Sequence, residues 1–269
     1  MLFRSQIVDP KGTVVRTFGA APPAAAGDPG RAGGAGAGGG GGRGGRGGGG
    51  AAFAPTTPGM QTINWDLRYP PASSFPGMIL WGGGVTGPAA APGTYTVKLT
   101  ANGKTQTQTF VVKRNHLFRD VTDADLQAQF DLAIQIRDST SEANDAVIRI
   151  RDLKAQVADR LSKSNGDARL KSASEALSED LSSVEEAIYQ VKNQSGQDPL
   201  NFPIKINNRL ASLLSVVNTG DGRPIGNALP IFNSLKADLK VQTDKLKTTD
   251  KQIAAFNAEA KRLGLEPIK

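Results

Sequence analysis

The hydrophobic rhythm of this chain changes once, near residue 120, and no single type of layer satisfies both rhythms. Before that point apolar residues alternate with polar ones. Tyr95, Val97 and Leu99 fall on one face of an extended segment, with Thr94, Thr96, Lys98 and Thr100 on the other. After it, Leu126, Phe130, Ala133, Ile136, Thr140, Ala143, Ala146, Ile150, Leu153, Val157 and Leu161 recur at steps of three and four. Alternation with period two buries one face of a strand, and period 3.6 buries one stripe of a helix. The expected fold class is therefore α+β in two domains: an antiparallel β-sandwich over residues 1–118 and an up-down four-helix bundle over 119–269.

Turn chemistry divides the first half into short strands. Ser5-Gln6-Ile7-Val8 runs into Asp9-Pro10-Lys11-Gly12, a turn, and Thr13 to Phe18 returns. Further strands are expected over Gln61–Arg68, containing Trp65, and over Gly77–Trp81. Thr94–Thr100 and Thr105–Lys113 flank Asn102-Gly103, the pair a type I′ hairpin needs because both central residues take positive φ. Between Gly27 and Gly50 lie 16 of the chain's 32 glycines, with no aromatic residue. Such a stretch has nothing to bury against its ordering entropy, so 20–58 reads as a disordered insertion into the sandwich.

The helices are equally well punctuated. Thr122 is placed to cap the first, with Asp125 at its N3 position and Val121 as a staple to Leu126, and Asn165-Gly166 ends it. A second helix carries Leu170, Ala173, Leu177, Leu181, Val184, Ile188 and Val191 and stops near Ser195-Gly196. A third presents Ile206, Leu210, Leu213 and Val217. The fourth starts between Pro224 and Pro230 and places Phe232, Leu235, Leu239, Leu246, Ile253, Phe256, Ala260 and Leu263 on heptad steps.

Composition excludes several chemistries. There is no cysteine and one histidine, His116, so thiolate chemistry and multi-histidine metal centres are ruled out, and a Glu-x-x-His di-iron bundle with them. His116 reads as a junction residue between the last strand and the first helix. Neither carboxylate pair suits glycoside hydrolysis, which needs two carboxyls facing each other across a cleft. Asp123 and Asp125 belong to a helix's first turn, and Glu185 and Glu186 read as a solvated helix face. Gly82-Gly83-Gly84 lacks the Lys-Ser/Thr of a phosphate loop and reads as a flexible turn. No catalytic, cofactor or metal residue is assigned.

Net charge is +7, and it is unevenly spread: residues 1–118 carry 11 Lys+Arg against 3 Asp+Glu, and 119–269 carry 21 against 22. Only Arg31, Arg43 and Arg46 lie in the glycine tract. These are the candidate nucleic-acid contacts, and the absence of interleaved Phe or Tyr argues against RNA binding. Trp65 and Trp81 are the candidate carbohydrate-stacking residues, set against a simpler role in the sandwich core. The first ten residues lack the apolar run of a secretion signal, and no window is apolar enough to span a membrane.

One set of motifs has a familiar order. Ile7-Val8-Asp9-Pro10-Lys11-Gly12-Thr13-Val14-Val15-Arg16 precedes Asn64-Trp65-Asp66-Leu67-Arg68-Tyr69-Pro70. Pro92-Gly93-Thr94-Tyr95-Thr96-Val97-Lys98-Leu99 and Val121-Thr122-Asp123-Ala124-Asp125-Leu126-Gln127-Ala128-Gln129-Phe130 then follow. Together they resemble the C-terminal region of bacterial sortilin-like β-propeller proteins with neuraminidase-type repeats, often labelled glycosyl hydrolases. The resemblance spans nearly the whole chain apart from the glycine tract. It implies an Ig-like sandwich, similar to that of the flagellar hook-capping protein, followed by helices. It also implies a periplasmic or extracellular setting, with this chain a detached C-terminal piece and the propeller upstream. Any glycosidase activity would belong to that propeller, and the partner would be the propeller itself or another surface protein.

Overall fold

The computed structural model describes residues 3–20, 52–54 and 59–269, and within them the chain is mixed α+β. The glycine-rich tract from Gly27 to Gly50, expected to be disordered, lies outside the described residues, as do Arg31, Arg43 and Arg46. Two compact units form. One comprises Met1–Pro70 with Ala90–Asn115, and the other Pro71–Ala89 with His116–Lys269. The expected division at 118 placed residues 71–89 with the strands, but they fold with the helices.

The first unit is built on β1 (Phe3–Val8), β2 (Val14–Ala20), β3 (Ala52–Ala54), β4 (Gly93–Ala101) and β5 (Lys104–Val112), in the order β3-β2-β1-β4-β5. Pairing is antiparallel except that β3, not foreseen from the sequence, runs parallel to β2. Ile7 and Val8 point to opposite faces of β1 and are both buried, so the sheet is covered on both sides there. The hairpin between β4 and β5 turns as expected, with Asn102 at φ 50° and Gly103 at φ 76°. In the first turn the Asp9 carboxylate accepts from the Lys11 and Thr13 amides at 2.9 and 2.8 Å. Its second oxygen accepts from the Tyr69 hydroxyl at 2.9 Å. Burial, reinforced by that bond, holds the Tyr69 phenol well above its ordinary range.

The strand expected over Gln61–Arg68 does not form; only an isolated bridge residue appears, at Arg68. Local bonds take the place of a ladder there. The Trp65 indole N–H donates to the Arg68 carbonyl at 3.0 Å, and the Asp66 carboxylate accepts from the Arg68 amide at 3.1 Å. Trp65 instead lays its ring over the sheet, 5.5 Å from the Tyr95 ring and 6.1 Å from that of Phe110. Among the described residues the strands make one sheet, and this irregular segment packs over its Tyr95 and Phe110 rings where a second sheet was expected.

The second unit contains α1 (Asp123–Lys163), α2 (Ala168–Ile188), α3 (Ile206–Val217), α4 (Ala228–Thr248) and α5 (Asp250–Arg262). The expected capping box opens α1: Thr122 Oγ1 accepts from the Asp125 amide at 3.1 Å, and the Asp125 carboxylate accepts from the Thr122 amide, also at 3.1 Å. Hydrogen bonds from Thr122 and Arg223 pull the Asp125 pKa down to about 2. Asn165 and Gly166, at φ 50° and 78°, turn the chain after α1.

The second helix stops at Ile188, short of the expected Ser195, because Tyr189 is extended at φ −128° and ψ 143°. The expected fourth helix is a run broken into α4 and α5 at Thr249. The buried Thr249 directs both its amide and its hydroxyl to the Leu246 carbonyl, at 3.1 and 2.7 Å, which tightens the turn before the Ile253 amide resumes the ladder. Ile136, Ile150, Leu153, Leu170, Leu177, Leu181, Leu210, Phe232 and Phe256 fill the core, all from the expected stripes.

Candidate functional site

The most organised polar arrangement among the described residues holds an extended piece of main chain. Residues 73–83 lie on the helices without forming a strand, and side chains supply the hydrogen bonds that a neighbouring strand would have given. On α1, Ser141 Oγ accepts from the Ser73 amide at 3.1 Å, and Asn144 Nδ2 donates to the Ser73 carbonyl at 2.7 Å. Just past α2, the Tyr189 hydroxyl accepts from the Ile79 amide at 3.1 Å and donates to the Gly77 carbonyl at 3.4 Å. On α3, Asn208 grips both sides of one peptide: its Oδ1 accepts from the Trp81 amide at 2.8 Å, and its Nδ2 donates to the Trp81 carbonyl at 2.8 Å. Ser212 Oγ donates to the same carbonyl at 3.2 Å. Three helical regions thus read the backbone at residues 73, 77–79 and 81. Gly77–Trp81, expected as a strand of the sandwich, is irregular: the Gly77 carbonyl, the Ile79 amide and both polar groups of Trp81 bond to side chains of the helical unit in place of a neighbouring strand.

Apolar contacts anchor the same segment. Phe75 is buried and meets Tyr189 edge-on, with centroids 5.1 Å apart and planes at 86°. The Arg151 guanidinium lies over both rings, 4.7 Å from the Phe75 centroid and 5.2 Å from that of Tyr189. Arg151 is itself held by Glu185, through Nε to Oε1 at 2.8 Å, and the other carboxylate oxygen accepts from Lys154 Nζ at 2.7 Å.

Glu185 corrects an expectation. The sequence pairs it with Glu186 as a solvated face; Glu186 is exposed, but Glu185 is buried, one turn before the end of α2. Burial alone would raise its pKa, and the hydrogen bonds from Lys154 and Arg151 more than reverse this, so the carboxyl titrates below its ordinary range. A depressed folded-state pKa contributes stability above the unfolded value, and that contribution is lost as pH falls through the folded one. Glu185→Gln is therefore expected to melt below the wild type at pH 7, with the gap closing below about pH 4. Thermal unfolding of both proteins across that range checks it.

Gly83 corrects another. It is no flexible turn residue: an added Cβ would stand 2.6 Å from the Ser212 nitrogen and 2.7 Å from the Ala211 carbonyl carbon, both backbone of α3. Only glycine allows that approach.

The candidate stacking residues fall in separate units. Trp65 belongs to the sheet unit and is half-buried against Tyr95 and Phe110; Trp81 belongs to the helical unit and is 41% exposed. His116 is exposed at the start of the helical stretch. Of the carboxylates considered for hydrolysis, Asp125 is taken by Thr122 and Arg223, and Glu185 by Arg151 and Lys154. No helix among the described residues is long and apolar enough to cross a membrane.

The clasping residues Asn144 and Asn208 were missed from sequence. Their signal was available: asparagine is a poor helix former and is costly at a buried position without partners. Both are buried inside helices, in or next to the apolar stripe.

No protein-family model, curated protein or solved structure matches this chain.

Proposed function

We propose that the chain is a non-catalytic interaction module pair: an Ig-like sheet unit followed by an up-down helical bundle, packing on a β-propeller or another surface protein outside the cytoplasm. The observation that carries the reading is the use made of polar side chains. Asn144, Tyr189 and Asn208 hold main chain of residues 73–81, and Glu185 fixes Arg151 over Phe75 and Tyr189, so the best-organised polar cluster is engaged with polypeptide.

The Ig-like assignment is supported by Ala91-Pro92-Gly93-Thr94-Tyr95. The Tyr95 hydroxyl donates back to the Ala91 carbonyl at 2.9 Å as the chain enters β4, the bond of a tyrosine corner. The sortilin-like resemblance supplies the propeller partner and the exported setting. Carbohydrate stacking is the weaker alternative, because the Trp65 ring is engaged by Tyr95 and Phe110. RNA binding would rest on Arg31, Arg43 and Arg46 alone.

The test is direct. The purified chain is expected to release no chromophore from a panel of aryl glycosides and peptides above the buffer rate. Saturable turnover that follows the folded protein through purification would overturn the reading.

A further inference from the structure

A second stretch of main chain is held in the same manner, between α1 and α5. Gly264, at φ 71°, closes α5: its amide bonds to the Lys261 carbonyl at 3.0 Å and that of Leu265 to Ala260 at 2.9 Å. This cap turns residues 265–269 back along the helices. Asn257, on α5, then grips residue 268 on both sides, its Oδ1 accepting from the Ile268 amide at 2.8 Å and its Nδ2 donating to the Ile268 carbonyl at 3.0 Å. Gln156, on α1, does the same to residue 269, accepting from the Lys269 amide at 2.9 Å and donating to its main-chain oxygen at 3.3 Å. Arg160 Nε donates to the Glu266 carbonyl at 2.7 Å. The Ile268 side chain is 2% exposed and belongs to the core cluster that includes Phe256 and Ala260.

We propose that the α1/α5 groove is a peptide-binding site, filled by the chain's own residues 265–269 and able to take an equivalent extended segment of another polypeptide. The ligand it fits has a branched aliphatic residue for the Ile268 pocket and two successive free peptide groups for Asn257 and Gln156. Main-chain bonds supply affinity without regard to sequence, and the pocket selects the side chain, the division of labour seen when a peptide adds to a sheet edge. Residues 265–269, anchored by the buried Ile268 and the partly buried Leu265, open locally at less cost than the helices unfold. While seated, the segment competes with any free peptide at an effective concentration on the order of millimolar. The inference deepens the interaction-module reading by naming a ligand class and rests on it.

The experiment uses the full chain carrying Ile268→Asp, which places a carboxylate against the apolar pocket and frees the groove. A fluorescein-labelled peptide of the sequence of residues 263–269 is titrated and followed by anisotropy. Saturable binding is expected, at least about tenfold tighter than to the wild type, whose groove is filled. Adding Asn257→Ala is expected to weaken it by about tenfold, for two lost hydrogen bonds. A peptide with Asp in place of the isoleucine is expected not to bind.

No saturable binding to a variant that still melts cooperatively overturns the proposal and leaves the non-catalytic reading untouched. Should Ile268→Asp fail to fold, hydrogen exchange on the wild type decides. The Ile268 and Lys269 amides are expected to exchange at least about tenfold faster than those of the α1 core, and equal protection overturns the proposal.

Discussion

Tyr189→Ala is expected to lower the unfolding free energy by about 3–5 kcal/mol, the usual cost of removing a buried aromatic ring. Tyr189→Phe should lower it by only about 1–2 kcal/mol, the cost of leaving a buried partner unmet. The contrast separates the two duties of one side chain. The ring is 3% exposed, meets Phe75 edge-on and lies under Arg151, while the hydroxyl bonds the Ile79 amide and the Gly77 carbonyl. Alanine removes the platform beneath Phe75 and Arg151, so the loss should be partly shared with a Phe75→Ala change. Urea unfolding of both Tyr189 variants, with the Phe75→Ala double variant to test non-additivity, measures this. Equal losses for phenylalanine and alanine would show that the hydroxyl alone matters.

Gly83→Ala carries the second large effect, about 3 kcal/mol, at the upper end of the range for inserted atoms in a packed site. The reason is geometric. The new methyl would sit 2.6–2.9 Å from Ser212 N, Ala211 C and Ser212 Cα, atoms of a helix backbone with no rotamer to change. Residues 81–84 would have to lift from α3, breaking the Asn208 and Ser212 bonds to Trp81. The expected signature is accelerated proteolysis within 71–89 and a red shift of Trp81 emission, both occurring below the global unfolding transition. Gly84→Ala is the control, because an added Cβ there meets nothing within 4 Å. A Gly83→Ala protein as stable as the Gly84→Ala control would refute the close approach.

The two predictions concern residues whose roles the sequence conceals for different reasons. Tyr189 lies two residues before Val191 on a pattern that reads as continuing helix, and only the extended backbone at Tyr189 turns its ring toward Phe75. Gly83 sits in a run of three glycines that looks like slack chain, and a close approach to α3 from far along the sequence leaves no local trace. Glu185 is concealed for a third reason. Arg151 and Lys154 are three apart and share a face of α1, and the packing of α2 on α1 brings Glu185 between them.

What the sequence determined by itself are features set by near neighbours. The Asp9–Gly12 turn, the Asn102-Gly103 hairpin, the Thr122–Asp125 capping box and the Asn165-Gly166 stop all appear where their chemistry placed them. So do the apolar stripes, because periodicity decides which face a helix or strand must bury. Only the tertiary structure decided the fate of Gly77–Trp81 and of residues 265–269. Each has the composition of a strand or a tail, and each has its backbone bonds supplied by side chains from helices more than ten residues away. A peptide group needs a partner wherever it is buried, but nothing local specifies whether that partner is another strand or an asparagine on a helix.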